Sequence, residues 1–197
     1  MAEVAESRRG RPGYDRDGVL AVAVALFIEH GYDATSISVL AERLGISKSA
    51  IYHHFASKEQ MLDRALSEAL DGLEGVLAAA QAGSAIDRLA SVLHGAVIVL
   101  ASKLAYVTLL LRVRGNTEVE RRALERRRGF DRAVTQLVLE ARDEGALRAD
   151  IDPRVAERLL FGMINSIVEW YRPGGAEDAD RLADDVLTVA LDGLRRR

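Results

Sequence analysis

The chain of 197 residues contains no cysteine, so neither a disulfide framework nor a thiolate metal site can be built from it. Only three prolines interrupt it, and aromatic residues make up 5%. Few helix breakers, many Ala, Leu, Arg and Glu, and few alternating β-branched runs leave an all-α fold as the expectation. The longest apolar stretch, near Leu104 to Leu111, falls far short of the ~20 residues needed to cross a bilayer and is bracketed by Lys103 and Arg112. The tract RRGRPGYDRD near the start is charged where a secretory signal would be apolar. No membrane partner is therefore expected, and the expected location is the cytoplasm. A surplus of positive charge is also missing. Lysine and arginine number 27 against 30 acidic residues, a net charge of −3, so any contact with nucleic acid must come from local clustering. Paired carboxylates in a cleft, a phosphate loop and a nucleophile motif are absent too, which argues against an enzyme. No metal and no cofactor is expected.

What the chain does have is the stretch from Ser36 to Lys58, SISVLAERLGISKSAIYHHFASK. Two short helical patterns meet there at Gly45. The first carries Val39, Leu40, Ala41 and Leu44 on its inward side, the second Ala50, Ile51 and Phe55. A turn as short as LGIS, with a glycine able to take positive φ and Ile46 to tuck beneath both helices, forces the sharp crossing of a helix-turn-helix. Ser47, Lys48, Ser49, Tyr52, His53 and His54 then face outward, and such groups on a narrow helix reach phosphates and base edges in a major groove. Ser36 and Ser38, at the amino end of the first of the two helices, can hold a phosphate with their hydroxyls and the free backbone N–H groups. Lys58 stands at the start of the next helix, where a cation opposes the helix dipole, so a phosphate partner explains it better than local stability does. The adjacent His53 and His54 point about 100° apart on a helix and cannot chelate one metal together.

Ahead of this stretch, residues 1–13 lack periodicity and hold Arg8, Arg9 and Arg11 in the tract RRGRP. An extended arginine arm of this kind either stays a solvated tail or lies in the minor groove beside the reading helix. Helix 1 is predicted from about Asp15 to His30, with Gly31 ending it. Ser57 reads as an N-cap with Gln60 completing a capping box, opening a long helix 4 toward Ala80. Five further helices follow from the periodicity, over about 86–102, 104–113, 118–144, 153–170 and 178–194, nine in all.

From helix 1 to helix 4 the chain resembles the DNA-binding domain of the TetR family of bacterial repressors. The resemblance rests on ALFIEHGYDATSI, AERLGIS and above all KSAIYHHFASKEQML, where Ile51, Tyr52, His54, Phe55, Lys58, Glu59 and Leu62 stand at the family's spacing. Residue by residue, the resemblance implies that Tyr52 and Lys58 bind phosphates, that Ser47, Lys48, Ser49 and His53 read bases, and that His54 approaches the backbone. Val39 departs from the family, which commonly has an acidic residue there. The organisation implied is a basic arm over 1–13, a DNA-binding domain over 14–62, and an effector-binding and dimerisation domain over 63–197.

The last two helices carry more apolar surface than one small domain needs to bury, which marks an oligomer face. Two copies of each would make an isologous four-helix dimer, as in TetR-like proteins, and present two reading helices to a palindromic operator of double-stranded DNA. For an effector, the places to look are polar residues set in apolar helices: His94, Tyr106, Thr108, Arg112 and Asn165, with Phe161 beside the last. Each is either a hydrogen-bonded core group or a ligand contact. Gly95 and Gly162 would leave space beside them. Trp170 serves either the pocket or the dimer seam. The tract INSIVEWYRPGG resembles a TetR branch that answers to acyl-CoA thioesters. That resemblance implies an acyl-CoA-type effector, with Arg112, Arg122, Arg126 or Arg128 meeting its phosphates. The expected function is thus a repressor released by a small apolar or acyl-CoA-type molecule. The alternative is a DNA-binding regulator or architectural protein without an effector.

Overall fold

Asp15 starts the first helix, its Oδ1 accepting the Gly18 N–H at 2.7 Å. In the computed structural model, which describes residues 14–194, this helix is α1 (Arg16–His30), and Gly31 closes it at φ 87°. Arg8, Arg9 and Arg11 lie outside the described residues. The chain falls into two compact units, the first ending at Met61 and the second starting at Leu62.

In the first unit, α1 buries Val19, Leu20, Ala23, Val24, Leu26 and Phe27. Next come α2 (Ile37–Leu44) and α3 (Lys48–His54), and α4 (Lys58–Ala79) begins here and continues into the second unit. Gly45 ends α2 in the left-handed region, at φ 66°, with its N–H directed to the Ala41 and Glu42 carbonyls. The Ile46 N–H also reaches the Ala41 carbonyl, at 3.1 Å, which closes the turn on itself before α3 begins. The inward face of α2 is Leu40, Ala41 and Leu44. Val39 is 37% exposed and corrects the expectation that it points inward. Leu40 and Leu44 are one turn apart and fix which face is buried, and Val39 sits about 100° away from Leu40 on the other side.

The second unit contains the rest of α4, then α5 (Ala85–Ser102), α6 (Leu104–Arg112), α7 (Glu118–Asp143), α8 (Pro153–Trp170) and α9 (Ala179–Leu194). Nine helices and no strand make up the regular structure of the described residues, an all-α fold. Helix α5 is the axis of this unit and packs against α6, α7, α8 and α9. By length and composition alone it could cross a membrane, yet half of it is buried among its neighbours, as befits a core helix. Its start is capped from two sides. Ser84 and Asp87 form a capping box, and Glu144 Oε2 accepts the Ala85 N–H at 2.9 Å.

Helices α4 and α5 cross closely. A Cβ on Gly95 would stand 2.4 Å from Val76 Cγ1, and one on Gly72 would stand 2.9 Å from Val99 Cγ1. The space expected beside Gly95 is therefore filled by valine methyls. Arg126 of α7 clamps α4 from the other side, with two bonds to Glu74 at 2.9 and 2.7 Å and a third to Asp71 at 2.6 Å.

Candidate nucleic-acid interface and effector cavity

In the first unit, the short helix α3 is held by what lies beneath it. Ile51 and Phe55 are buried to within 1% of their surface, while Ser47 caps the helix by accepting the Ala50 N–H at 3.1 Å. With those anchors fixed, Lys48, Ser49, Tyr52 and His53 are exposed on the outer face, and His54 is half-buried. The His53 and His54 rings meet edge to face, with centroids 5.6 Å apart, rather than converging on a common point. Ser36 performs the same duty for α2, accepting the Val39 N–H at 3.2 Å, and Ser38 is exposed beside it. A hydroxyl that accepts in a cap still has its own O–H to donate, so Ser36 and Ser47 remain able to reach a phosphate or a base edge.

Lys58 has a different situation from the one its position at a helix start suggests. Its Nζ donates to the Tyr32 carbonyl at 2.8 Å and to the Thr35 carbonyl at 2.9 Å. The same ammonium lies 4.1 Å from the centre of the Tyr32 ring, which in turn packs edge-on against Phe27. Thr35 is buried and donates to the Gly31 carbonyl at 2.8 Å. The α1–α2 loop is thus stitched from both ends, and local structure accounts for the cation without a phosphate. Gln60 is likewise redirected. Ser57 caps the Gln60 N–H at 3.1 Å as expected, but Gln60 Oε1 accepts from Ala56 at 2.7 Å, one residue ahead of the capping residue.

The second unit contains a cavity of about 650 Å³ between α7, α8 and the inner faces of α4, α5 and α6. Its apolar wall is Leu73, Ala96, Val107, Leu110, Leu111, Phe130 and Ile164. Of the effector residues expected from sequence, Arg128, Phe161 and Asn165 line it, and Phe161 meets Phe130 edge-on at 5.3 Å. Gly162 lines it too, with nothing within 4 Å of where a Cβ would stand. The other expected residues lie elsewhere. His94 is 3.7 Å from Asp184 of α9, and Thr108 donates back to the Leu104 carbonyl at 2.7 Å. Tyr106 and Arg112 are on α6 outside the lining, and Trp170 is 49% exposed at the end of α8. Arg122 and Arg126 are held by Asp63 and by the Asp71–Glu74 pair.

Sequence reasoning missed the charged ring of this cavity. Arg127, Asp131 and Arg132 of α7 and Arg154, Glu157 and Arg158 of α8 all line it. Glu157 is only 7% exposed. Burial pushes its carboxyl above the ordinary glutamate value, and Asp131 adds to the rise, against the pull of Arg158 and Arg127. Asp131 is raised as well, by burial, against Arg127 and Arg132. A signal was available. Glu157 occupies the same stripe as Leu160, Ile164 and Ile167, where an acid breaks an otherwise apolar row.

Two family models match the chain: bacterial regulatory proteins of the tetR family over residues 19–65, and the tetracyclin repressor-like C-terminal domain over residues 82–194. Along nearly its full length the chain is similar to the HTH-type transcriptional repressor KstR2 of Rhodococcus jostii (strain RHA1), at 32% identity over 96% of this chain and 95% of the relative. Among solved structures, a TetR-family regulator from Streptomyces coelicolor A3 is 53% identical, with a TM-score of 0.84 over 90% of this chain and 91% of that one. The ketosteroid transcriptional regulator KstR2 of Mycobacterium tuberculosis is 26% identical, also at a TM-score of 0.84, over 95% and 98% of the two chains.

Proposed function

The chain belongs to the TetR family of bacterial transcriptional regulators, and from that we propose a homodimeric repressor of a palindromic operator, released by an effector with an apolar tail and an anionic head. Membership makes it a DNA-binding regulator rather than an enzyme. The KstR2 proteins it resembles are named as repressors, one of them as a ketosteroid regulator, which supports repression and an apolar effector.

The reading of DNA rests on α3. Lys48, Ser49, His53 and the O–H of Ser47 are the base-reading set, and Tyr52, His54, Ser36 and Ser38 meet the backbone. The arm residues Arg8, Arg9 and Arg11 enter the adjacent minor groove. Lys58 serves this surface as the clasp of the α1–α2 loop. Dimerisation uses the outer faces of α8 and α9, where Val155, Leu159, Trp170 and Val189 are exposed large apolar residues. Two copies so joined would place their reading helices in successive major grooves, ~34 Å apart.

The effector reading rests on one observation: a cavity with an apolar wall, ringed by more arginines than acids, whose guanidiniums are not engaged in close ion pairs. Arg127, Arg128, Arg132, Arg154 and Arg158 line it, and none makes a side-chain ion pair or hydrogen bond among the described residues. Guanidinium groups left open around a greasy hole suit a phosphate-bearing head with an acyl tail, as in an acyl-CoA thioester. The protein would act in the cytoplasm, at the nucleoid.

Band-shift titration tests the proposal. Specific duplex binding should weaken with salt and be reversed by octanoyl-CoA but not by coenzyme A alone. Binding that is indifferent to both overturns it.

A further inference from the structure

The cavity that faces a proposed anionic head also contains two acids. Asp131 comes from α7 and Glu157 from α8, and neither side chain has an ion-pair or hydrogen-bond partner among the described residues. Glu157 is more than nine-tenths buried as a residue, yet its carboxyl oxygens are not sealed off and stay open to the cavity. Arginines stand within one helical turn of each, Arg127 ahead of Asp131 and Arg154 and Arg158 flanking Glu157, yet no guanidinium has turned to meet them. The remaining walls hold no charge: α4, α5 and α6 contribute Leu73, Ala96, Val107, Leu110 and Leu111. The neutral polar groups are Thr135, Gln136 and Asn165. The acids therefore feel only one another and the arginines of α7 and α8.

We infer that Asp131 and Glu157 are specificity-determining residues that couple anion binding in this cavity to the uptake of a proton. Without an anion the arginines favour the ionised form of the two carboxyls, against burial and the charge of Asp131 on Glu157. An anion that settles on the guanidiniums cancels that support and adds a negative charge beside the acids. A proton then moves from solvent to an oxygen of the pair, which becomes a neutral wall that can donate a hydrogen bond. Binding raises the acids' proton affinity, so by linkage a lower pH tightens anion binding. Above the range in which the pair titrates in the complex, the acids repel the ligand. The carboxyls thus set the concentration at which the effector is felt. An anionic head that spreads over several guanidiniums overcomes them more readily than a lone carboxylate does.

This rests on the effector reading above, and the test separates the two. Octanoyl-CoA and octanoate are titrated calorimetrically into the full-length wild type and into Glu157→Gln and Asp131→Asn, between about pH 5.5 and 8 and in buffers of different ionisation enthalpy. For wild type, affinity for octanoyl-CoA should fall as pH rises, by at most about tenfold per pH unit for one coupled proton, with proton uptake visible in the buffer dependence. Glu157→Gln should bind at neutral pH at least as tightly as wild type does in acid, with a flattened profile and reduced proton uptake. Octanoate should bind more weakly, and should gain more from either substitution. Tight, pH-independent binding by wild type overturns the coupling and leaves the effector reading intact. So does loss of binding in a Glu157→Gln protein whose melting temperature has not dropped. Absence of octanoyl-CoA binding in all three proteins at every pH overturns both.

Discussion

The ammonium of Lys58 is 2.8 Å from the backbone oxygen of Tyr32 and 4.1 Å from the centre of that residue's ring. A single side chain thus ties the first residue of α4 to both the backbone and the side chain of the loop after α1. The bond to Thr35, at 2.9 Å, extends the tie to the last residue before the cap of α2.

Lys58→Met should then weaken the first unit rather than one DNA contact. Removing a charged donor from two half-buried carbonyls costs roughly 1–3 kcal/mol, read as a lower midpoint in chemical denaturation. Operators of every sequence should lose affinity alike, while the slope of binding against salt stays unchanged. A slope reduced by about one unit would show instead that Lys58 also neutralises a phosphate.

The exposed face of α3 should divide by role. Tyr52→Phe should weaken all duplexes evenly, whereas Lys48→Ala or His53→Ala should change which bases are preferred, by about 1–3 kcal/mol per base pair read. Ser47→Ala removes a cap together with a base-reading hydroxyl, and should cost about 0.5–2 kcal/mol of helix stability through the lost cap in addition to any change in base preference. Selection of binding sites from randomised duplexes separates the first two kinds of variant, and circular dichroism identifies the third.

Gly95→Ala should be destabilising although alanine is the better helix former. The new methyl would arrive 2.4 Å from Val76 Cγ1, a stiff β-branched side chain. Overpacking of this kind costs about 1–3 kcal/mol, and adding Val76→Ala should return part of it. If thermal melts show the two substitutions to be additive, the close crossing of α4 and α5 is not what holds glycine at this position.

Stability should respond to pH through Glu157. Its carboxyl binds a proton more tightly folded than unfolded, so folding takes up protons in the window that opens at the ordinary value of 4.5 and closes at the raised folded one. Through that window the wild type should lose stability as pH rises, and then level off. Glu157→Gln should show a shallower loss, with the remainder owed to Asp131, and should be the more stable protein at neutral pH. Denaturation midpoints measured across that range check the sign.

The first unit was readable because its signals are local. Ser36, Gly45 and Ser47 each act within four residues of their own position, as cap or turn, and sequence spacing specifies such contacts. The Lys58 clasp could not be read in the same way, since its acceptors lie 23 and 26 residues away in a loop whose path depends on the packing of Phe27 and Tyr32. In the second unit, Asn165 stood out as a polar break in an apolar helix, with Phe161 beside it, and Arg128 through the resemblance to an acyl-CoA-responsive branch. Arg127, Asp131 and Arg132 did not stand out. They sit in a charge run that reads as a solvated face, and only the approach of α8 encloses part of it. His94 and Thr108 looked like ligand groups for the opposite reason. The helix backbone satisfies Thr108, His94 stands 3.7 Å from Asp184 of a neighbouring helix, and periodicity does not reveal such neighbours.

Helix α3 has seven residues, about two turns, and a helix that short has no stability of its own in water. Its order is borrowed from Ile51 and Phe55 in the core beneath. A genetic screen for lost repression should therefore return two populations that look the same on an indicator plate. One will alter the outward residues, and the other will alter Leu20, Leu26, Leu40 or Ile51, which never touch DNA. Growth at lower temperature should restore repression in the second population and not in the first.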